Sequence, residues 1–202
     1  LKNSAESAPS EISVRGLKRA FGKVEAVRGI DLELQAGELF AFLGPNGAGK
    51  TTTINMLTGL QRPDAGQISY QGQPFVKSAY AVRRRIGVVP QHNNLDRELT
   101  AAENLQVHGH LFDMRGAQLQ QRITDCLALA GLSDKRDTPA NKLSGGMKRK
   151  LVIARALLHE PSILFLDEPT AGLDPRSRRK IWAFLRRINL EQRCTLFLTT
   201  HY

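Results

Sequence analysis

Long apolar runs are missing from this chain. The longest, such as "LFAFL" and "ILFL", hold about five residues, far from the roughly 20 that cross a bilayer as a helix. Cysteine is nearly missing too. Cys126 and Cys194 have no metal-type spacing and make no disulfide framework, which fits a reducing cytosol and reads as two small buried apolar side chains. Acidic residues are short against basic ones, 19 against 29, for a formal charge of +10. The excess gathers at Arg83 to Arg85, Lys148 to Lys150, Arg176 to Lys180 and Arg186 with Arg187. Such charge serves nucleic acid, an anionic membrane surface, a polyphosphate or simply solvated helix faces. Aromatics are also sparse, at 6%. No basic stretch is interleaved with them, and no RNA-recognition motif or zinc-finger spacing occurs, so nucleic acid is not the expected partner. The leading "LKNSAESAPSE" has no signal pattern and reads as a polar, disordered segment. No internal repeat or low-complexity tract is present, and 202 residues suggest one domain, or one with a subdomain.

What is present is an alternation of strands and helices. "ISVRGL" and "AVRGIDLEL" flank a turn near Gly22, with Ile30, Leu32 and Leu34 alternating against Asp31 and Glu33 as in a half-buried strand. "ELFAFL" reads as a buried strand. It runs through glycines into the helix "KTTTINMLTGL", which stops near Gly59. "GQISYQG" and "RRIGVVPQ" read as further strands. From residue 93 to 158 the texture is helical. "SILFLD" and "CTLFLTT" then return as continuous apolar runs of the kind buried in a parallel sheet. Between them, Ile181, Phe184, Leu185 and Ile188 form one stripe of an amphipathic helix. The expectation is an α/β fold with a mainly parallel sheet, an N-terminal antiparallel β subdomain and a helical subdomain inserted at 93–158.

In open parallel sheets, ligands gather beyond the carboxyl ends of the strands. Three candidates fall there: the glycine loop, Asp167 with Glu168, and His201. The loop "GPNGAGKT" follows the spacing G-x-x-x-x-G-K-[ST] from Gly44 to Thr51. Its glycines let successive N–H groups face one concavity, which suits a polyphosphate at a helix N-terminus. Gly44, Pro45, Asn46, Gly47, Ala48, Gly49, Lys50, Thr51 and Thr52 are therefore candidate nucleotide contacts. Lys50, expected to face solvent, would reach the β- and γ-phosphates, and the Thr51 hydroxyl would ligate Mg2+. Asp167, charged at the end of an apolar strand, calls for a cation such as Mg2+. Glu168 would orient the attacking water. In "LSGGM", Ser144 would cap a helix whose first N–H groups, next to Gly145 and Gly146, stay open to an anion. That helix start cannot easily serve phosphates already held by Lys50 in the same chain, so a second subunit is implied. His108 and His110, two apart on a helix, do not share a face and read as solvated.

Taken together, "GPNGAGKT", "LSGGM", "ILFLDE", "AGLD" and "TTH" occur in the order of one family. The chain resembles the nucleotide-binding ATPase subunit of an ATP-binding-cassette (ABC) transporter over essentially its whole length. Met147 in "LSGGM", together with "HEPSILFLDEPTAGLDPRSRR" and "TTHY", is similar to its drug-exporter-like subgroup. The resemblance implies an ATP- and Mg2+-dependent hydrolase that dimerises, or pairs with a second such subunit, and powers a transmembrane permease from the cytoplasmic face of the membrane. It implies that Phe21 stacks on adenine, that Gln91 contacts Mg2+ and the attacking water, that Asp174 bridges the subunits and that His201 holds the γ-phosphate. Read from the residues alone, Phe21 could equally be a core aromatic, Gln91 a solvated strand end, Asp174 a helix cap and His201 a satisfied histidine. Family members usually continue past the equivalent of His201, so residues 1–202 are expected to be one ABC ATPase domain shortened at its C-terminus. Export is the leading expectation. An importer ATPase, or a soluble relative acting on ribosomes or DNA, is the alternative.

Overall fold

The structure is a computed structural model that describes residues 10–75 and 80–201. The expectation of a disordered leader lies almost wholly outside the described residues. Two four-stranded sheets form the frame. One is antiparallel, with order β2-β1-β4-β5, built from β1 (Ile12–Phe21), β2 (Val24–Leu34), β4 (Ala65–Tyr70) and β5 (Gln73–Pro74). The other is parallel, with order β3-β8-β7-β6, built from β3 (Leu39–Leu43), β6 (Ile86–Val89), β7 (Ile163–Leu166) and β8 (Thr195–Thr200). This is the α/β frame, a parallel sheet beside an N-terminal antiparallel one, expected from the strand pattern.

The continuous apolar runs of β7 and β8 follow from burial on both faces. Phe165 and Phe197 pack with Ile54, Met56 and Leu57 of α1 (Lys50–Leu57) and with the antiparallel sheet. The alternate residues Leu164, Leu166, Leu196 and Leu198 pack with Leu151 and Val152 of α5 (Gly145–Ala156) and with Ile181 and Leu185 of α6 (Pro175–Gln192). Each such leucine is worth about 1.5–3 kcal/mol on burial. The strand "LFAFL" departs from expectation. As β3 it lies at the sheet edge, pairs with β8, and leaves Leu43 64% exposed. Its apolarity is spent on Phe40 and Phe42, whose rings lie 5.3 and 5.9 Å from Phe197.

After α2 (Tyr80–Arg84) and β6, the chain runs through α3 (Ala101–Leu111), α4 (Gly116–Ala130) and α5 before it reaches β7. Thr100 and Glu103 form a reciprocal capping box that starts α3, and Gly131, in the left-handed region, ends α4. Leu105, Leu119 and Ile123 join the same apolar cluster as Leu164 and Leu198, so these helices are packed on the sheet through one continuous core. The reading of His108 as solvated is corrected. It is partly buried against Phe112 and His159, at ring distances of 5.0 and 5.9 Å, because the loop after α5 folds back under α3. His110 is exposed, as expected.

Candidate nucleotide site

Four parallel strands deliver their carboxyl ends to one edge. β3 leads into residues 44–49, β6 into Pro90 and Gln91, β7 into Asp167 and Glu168, and β8 into His201. The loop is clamped to the sheet by the Gly44 amide donating to the Thr200 carbonyl at 3.3 Å. Gly49, at φ +80°, is a position where only glycine fits. A Cβ there would lie 2.1 Å from the Ala26 carbonyl oxygen, inside any tolerable contact.

Lys50 is not the solvent-facing lysine expected from a loop. It is the first residue of α1 and only 6% exposed. Its ammonium donates to the carbonyls of Gly44 (2.7 Å) and Pro45 (2.9 Å) and lies 3.3 Å from Glu168 Oε1. The physical reason is closure of the loop, which folds its own carbonyls over the side chain. The other Glu168 oxygen, Oε2, lies 2.9 Å from His201 Nδ1. Glu168 itself is 9% exposed and sits at φ +44°, in the left-handed region. For a residue with a Cβ that conformation costs roughly 1–2 kcal/mol, and the Glu168 amide donating to Thr199 Oγ1 at 3.0 Å helps to hold it.

A second group forms beside the first. Asp167 Oδ2 accepts from Thr51 Oγ1 at 2.7 Å, and Oδ1 accepts from Thr199 Oγ1 at 2.6 Å. These hard oxygens fit Mg2+, which characteristically takes one or two carboxylates and completes its shell with phosphates and water. Among the described residues no cluster of three or more His, Cys, Asp or Glu side chains forms an all-protein metal cage.

The open cleft beside these groups encloses ≈ 350 Å³ and is lined by Phe21, Ala26, Asn46, Gly47, Gly49, Lys50, Thr51, Thr52, Gln91 and Glu168. Phe21 is thus no core aromatic. It is 47% exposed on the rim, with the Arg19 guanidinium 5.1 Å from its ring centre. Ser144, Gly145, Gly146 and Asp174 do not line this cleft. Ser144 caps α5 by accepting from the Met147 amide at 3.3 Å, and Asp174 caps α6 by accepting from the amides of Arg176 and Ser177 at 3.0 and 2.9 Å. The Ser177 side chain first, and then those amide bonds, hold the Asp174 carboxyl below the usual carboxylate range. The two helix starts meet, since a Cβ on Gly146 would lie 2.9 Å from Ser177 Oγ.

A strand–loop–helix with a buried lysine, a carboxylate pair at the neighbouring strand end and a separate capped glycine pair is the geometry on which the comparisons bear. Residues 27–171 match the ABC transporter family. The chain belongs to that family. Among curated relatives it is 44% identical, over 191 residues, to the Nod factor export ATP-binding protein I of Ralstonia nicotianae, covering 95% of this chain and 59% of the relative. It is 47% identical, over 186 residues, to the protein of the same name from Paraburkholderia xenovorans, covering 92% and 61%. The chain therefore spans about three-fifths of the length of the curated relatives it matches. Among solved structures it is similar to cbiO1 from Clostridium perfringens, described as part of the ABC transporter complex cbiONQ (TM-score 0.88, 29% identity, 96% of this chain and 79% of that one). It is also similar to the ATP-binding cassette MJ0796, a dimer described in a post-hydrolysis state with ADP and Pi (TM-score 0.80, 30% identity, 95% and 88%).

Two residues of this ABC site were missed from sequence. Thr199 breaks off the apolar run "LFL" inside β8, two residues before His201, and that interruption was a usable signal. Arg149, in the run "KRK", is 3% exposed and reaches the carbonyls behind the site. Its helical spacing to Val152 and Ile153 on the buried face of α5 could have singled it out from its solvated neighbours.

Proposed function

We propose that the chain binds ATP with Mg2+ and hydrolyses it, and that ATP-dependent pairing of two such chains drives export through a separate membrane-spanning partner. The observation that carries this reading is the pair of clusters Lys50–Glu168–His201 and Thr51–Asp167–Thr199, gathered beside a phosphate-binding loop at one sheet edge. Lys50 and the loop amides of residues 47–51 would hold the β- and γ-phosphates, and Phe21 would stack on the adenine. Thr51 and Asp167, with Gln91, would hold Mg2+, which supplies neutralisation of charge on the β- and γ-phosphate oxygens. Glu168 would align a water in line with the γ-phosphorus and take its proton as the bond to the bridging oxygen breaks. His201, already within hydrogen-bond reach of Glu168, would steady that carboxylate and meet the γ-phosphate.

Two chains related by a two-fold axis would place the Ser144–Gly146 helix start of one against the Lys50 loop of the other, with Asp174 at the seam. Residues 93–158 would act as the unit that presents this helix start. The export names of the relatives support the direction of transport. Among the described residues no helix is long and apolar enough to cross a membrane, which fits an ATPase that works on a membrane partner from the cytoplasmic side. The test is Glu168→Gln, measured by phosphate release and by titration with a fluorescent ATP analogue. ATP affinity is expected to persist while hydrolysis falls roughly 10²-fold or more. Turnover near the parent rate would place the base elsewhere.

A further inference from the structure

Glu168 stands in a left-handed conformation, and something must hold it there. Thr199 accounts for its amide. Its flanking carbonyls are accounted for by a residue from a different element. Arg149, on the third turn-facing position after the Ser144–Gly146 segment of α5, donates from Nη2 to the Asp167 carbonyl at 3.1 Å and from Nε to the Pro169 carbonyl at 2.8 Å. The first belongs to the peptide that joins Asp167 to Glu168 and the second to the peptide after Pro169, so the two bonds bracket Glu168. The remaining nitrogen, Nη1, donates to the carbonyls of Pro90 (2.7 Å) and Gln91 (3.2 Å) at the end of β6. Four of the five N–H donors of one guanidinium are therefore used on main-chain oxygens of two strand ends.

We propose that Arg149 is a positioning residue for hydrolysis. By gripping the peptides around Glu168 and at Gln91 from the helix that begins with Ser144, it sets the base and the Gln91 turn in register with that helix. The proposal rests on the reading of Glu168 as the group that orients water. Arg149 does not line the cleft, and its effect passes through the backbone. A cation so deeply buried is disfavoured unless its donors are satisfied. Burial lowers its pKa to about 10, with the nearby Asp167 charge opposing, so it remains a guanidinium near neutral pH. Lysine cannot replace the planar fork, because its three donors radiate from one nitrogen.

The geometry also makes α5 and the base one mechanical unit. A rotation of α5 that breaks the Nη2 and Nε bonds removes two of the contacts that hold the backbone around Glu168 at its φ of +44°. A partner chain that seats the start of α5 would stabilise the gripped state. Binding of nucleotide in the cleft does not depend on it, since Arg149 is not among the residues that line it.

The experiment compares the parent with Glu168→Gln, Arg149→Ala, Arg149→Gln and Arg149→Lys. A fluorescent ATP analogue reports affinity, and single-turnover phosphate release reports chemistry. Arg149→Ala is expected to lose roughly 10²-fold in the single-turnover rate, the scale of a misplaced catalytic group. Its affinity should stay within about threefold of the parent. Arg149→Lys should fall between the two. Millimolar guanidinium chloride should raise the rate of Arg149→Ala, whereas ammonium chloride should not, and neither should rescue Glu168→Gln. A merely structural role would lower thermal stability without guanidinium-specific recovery. If Arg149→Ala does not fold, Arg149→Gln and Arg149→Lys carry the same reading. Parent-like chemistry in the folded Arg149 variants, with Glu168→Gln inactive, overturns the positioning role alone. Parent-like chemistry in Glu168→Gln overturns the assignment of the base, and the positioning role with it.

Discussion

At the scale of single residues, the buried pair of Lys50 and Glu168 governs what substitutions can reveal. Both side chains are at most 10% exposed and lie 3.3 Å apart. Removing one partner of such a pair leaves the other charge uncompensated, at about 3–5 kcal/mol. Lys50→Ala is therefore expected to weaken the fold as well as phosphate binding. Combining it with Glu168→Gln removes the stranded charge. The double variant should consequently be more stable than the sum of the two single losses, by about 1–3 kcal/mol of coupling. Urea midpoints of the four proteins measure this, and strict additivity would show that the pair is not coupled. Nucleotide titration of Lys50→Ala, interpreted beside its stability, then separates lost affinity from lost folding.

Elements set the next constraint, through the contact between α5 and α6. Gly146 faces Ser177 at a distance that a methyl cannot share, whereas a Cβ on Gly145 meets only Leu173 at 3.8 Å. Gly146→Asp would force the helix starts apart and destabilise the chain by itself. Gly145→Asp fits the fold, so it is the cleaner probe of a contact made across two chains. Its thermal midpoint is expected to match the parent, while ATP-stabilised dimerisation in gel filtration is lost. A Gly145→Asp protein that dimerises normally would remove this helix start from the interface.

The junction of α3 with the loop after α5 adds a pH dependence. Burial first, then the charge of Arg155 and the neighbouring His159, lower the pKa of His108 to about 4. Burial also lowers that of His159, with Arg84 and Arg122 adding and the hydrogen bond to the Ile86 carbonyl opposing. The folded state thus favours neutral imidazoles, whereas the unfolded chain gains protons near its ordinary value of about 6.5. Stability present above about pH 6.5 is lost progressively as the pH falls to about 4, with His108 contributing roughly 3 kcal/mol. His108→Gln should flatten the urea midpoint over that range. An equally steep decline in the variant would assign the effect to other groups.

For the whole molecule, the positive charge is distributed rather than massed. Arg85 pairs with buried Glu11 and Arg84 with Asp113. Lys150 donates to the Ala130 carbonyl, Arg187 to that of Leu129, and Arg149 lies inside. Parts of the runs at 83–85, 148–150 and 186–187 are thus engaged in holding elements together. The function proposed for the molecule depends on two chains, and complementation tests it. In a mixture of Lys50→Ala and Gly145→Asp chains, a mixed dimer has one site with both lesions and one with neither. ATP-stabilised association of the mixture is expected to exceed that of either variant alone, read by sedimentation. Specific activity of the parent that stays constant down to a demonstrated monomer would overturn the two-chain site.

The sequence by itself determined the elements and the chemistry they carry. The loop spacing, the carboxylates ending "ILFL" and the histidine ending "TLFLTT" are local patterns, and a parallel sheet must bring strand ends to one edge. Apolar periodicity likewise placed the core of α6, because a helix has one stripe to bury. Only the tertiary structure decided which charged groups are inside. Lys50 is buried because the loop closes over it, Arg149 because four carbonyls from two distant strand ends surround it, and His108 because a loop 50 residues further along the chain covers it. Burial of a charged side chain needs partners to satisfy it, and for Arg149 these lie far away in sequence. Helical spacing can mark the face on which Arg149 lies, but it carries no record of those partners, and the fold supplies them.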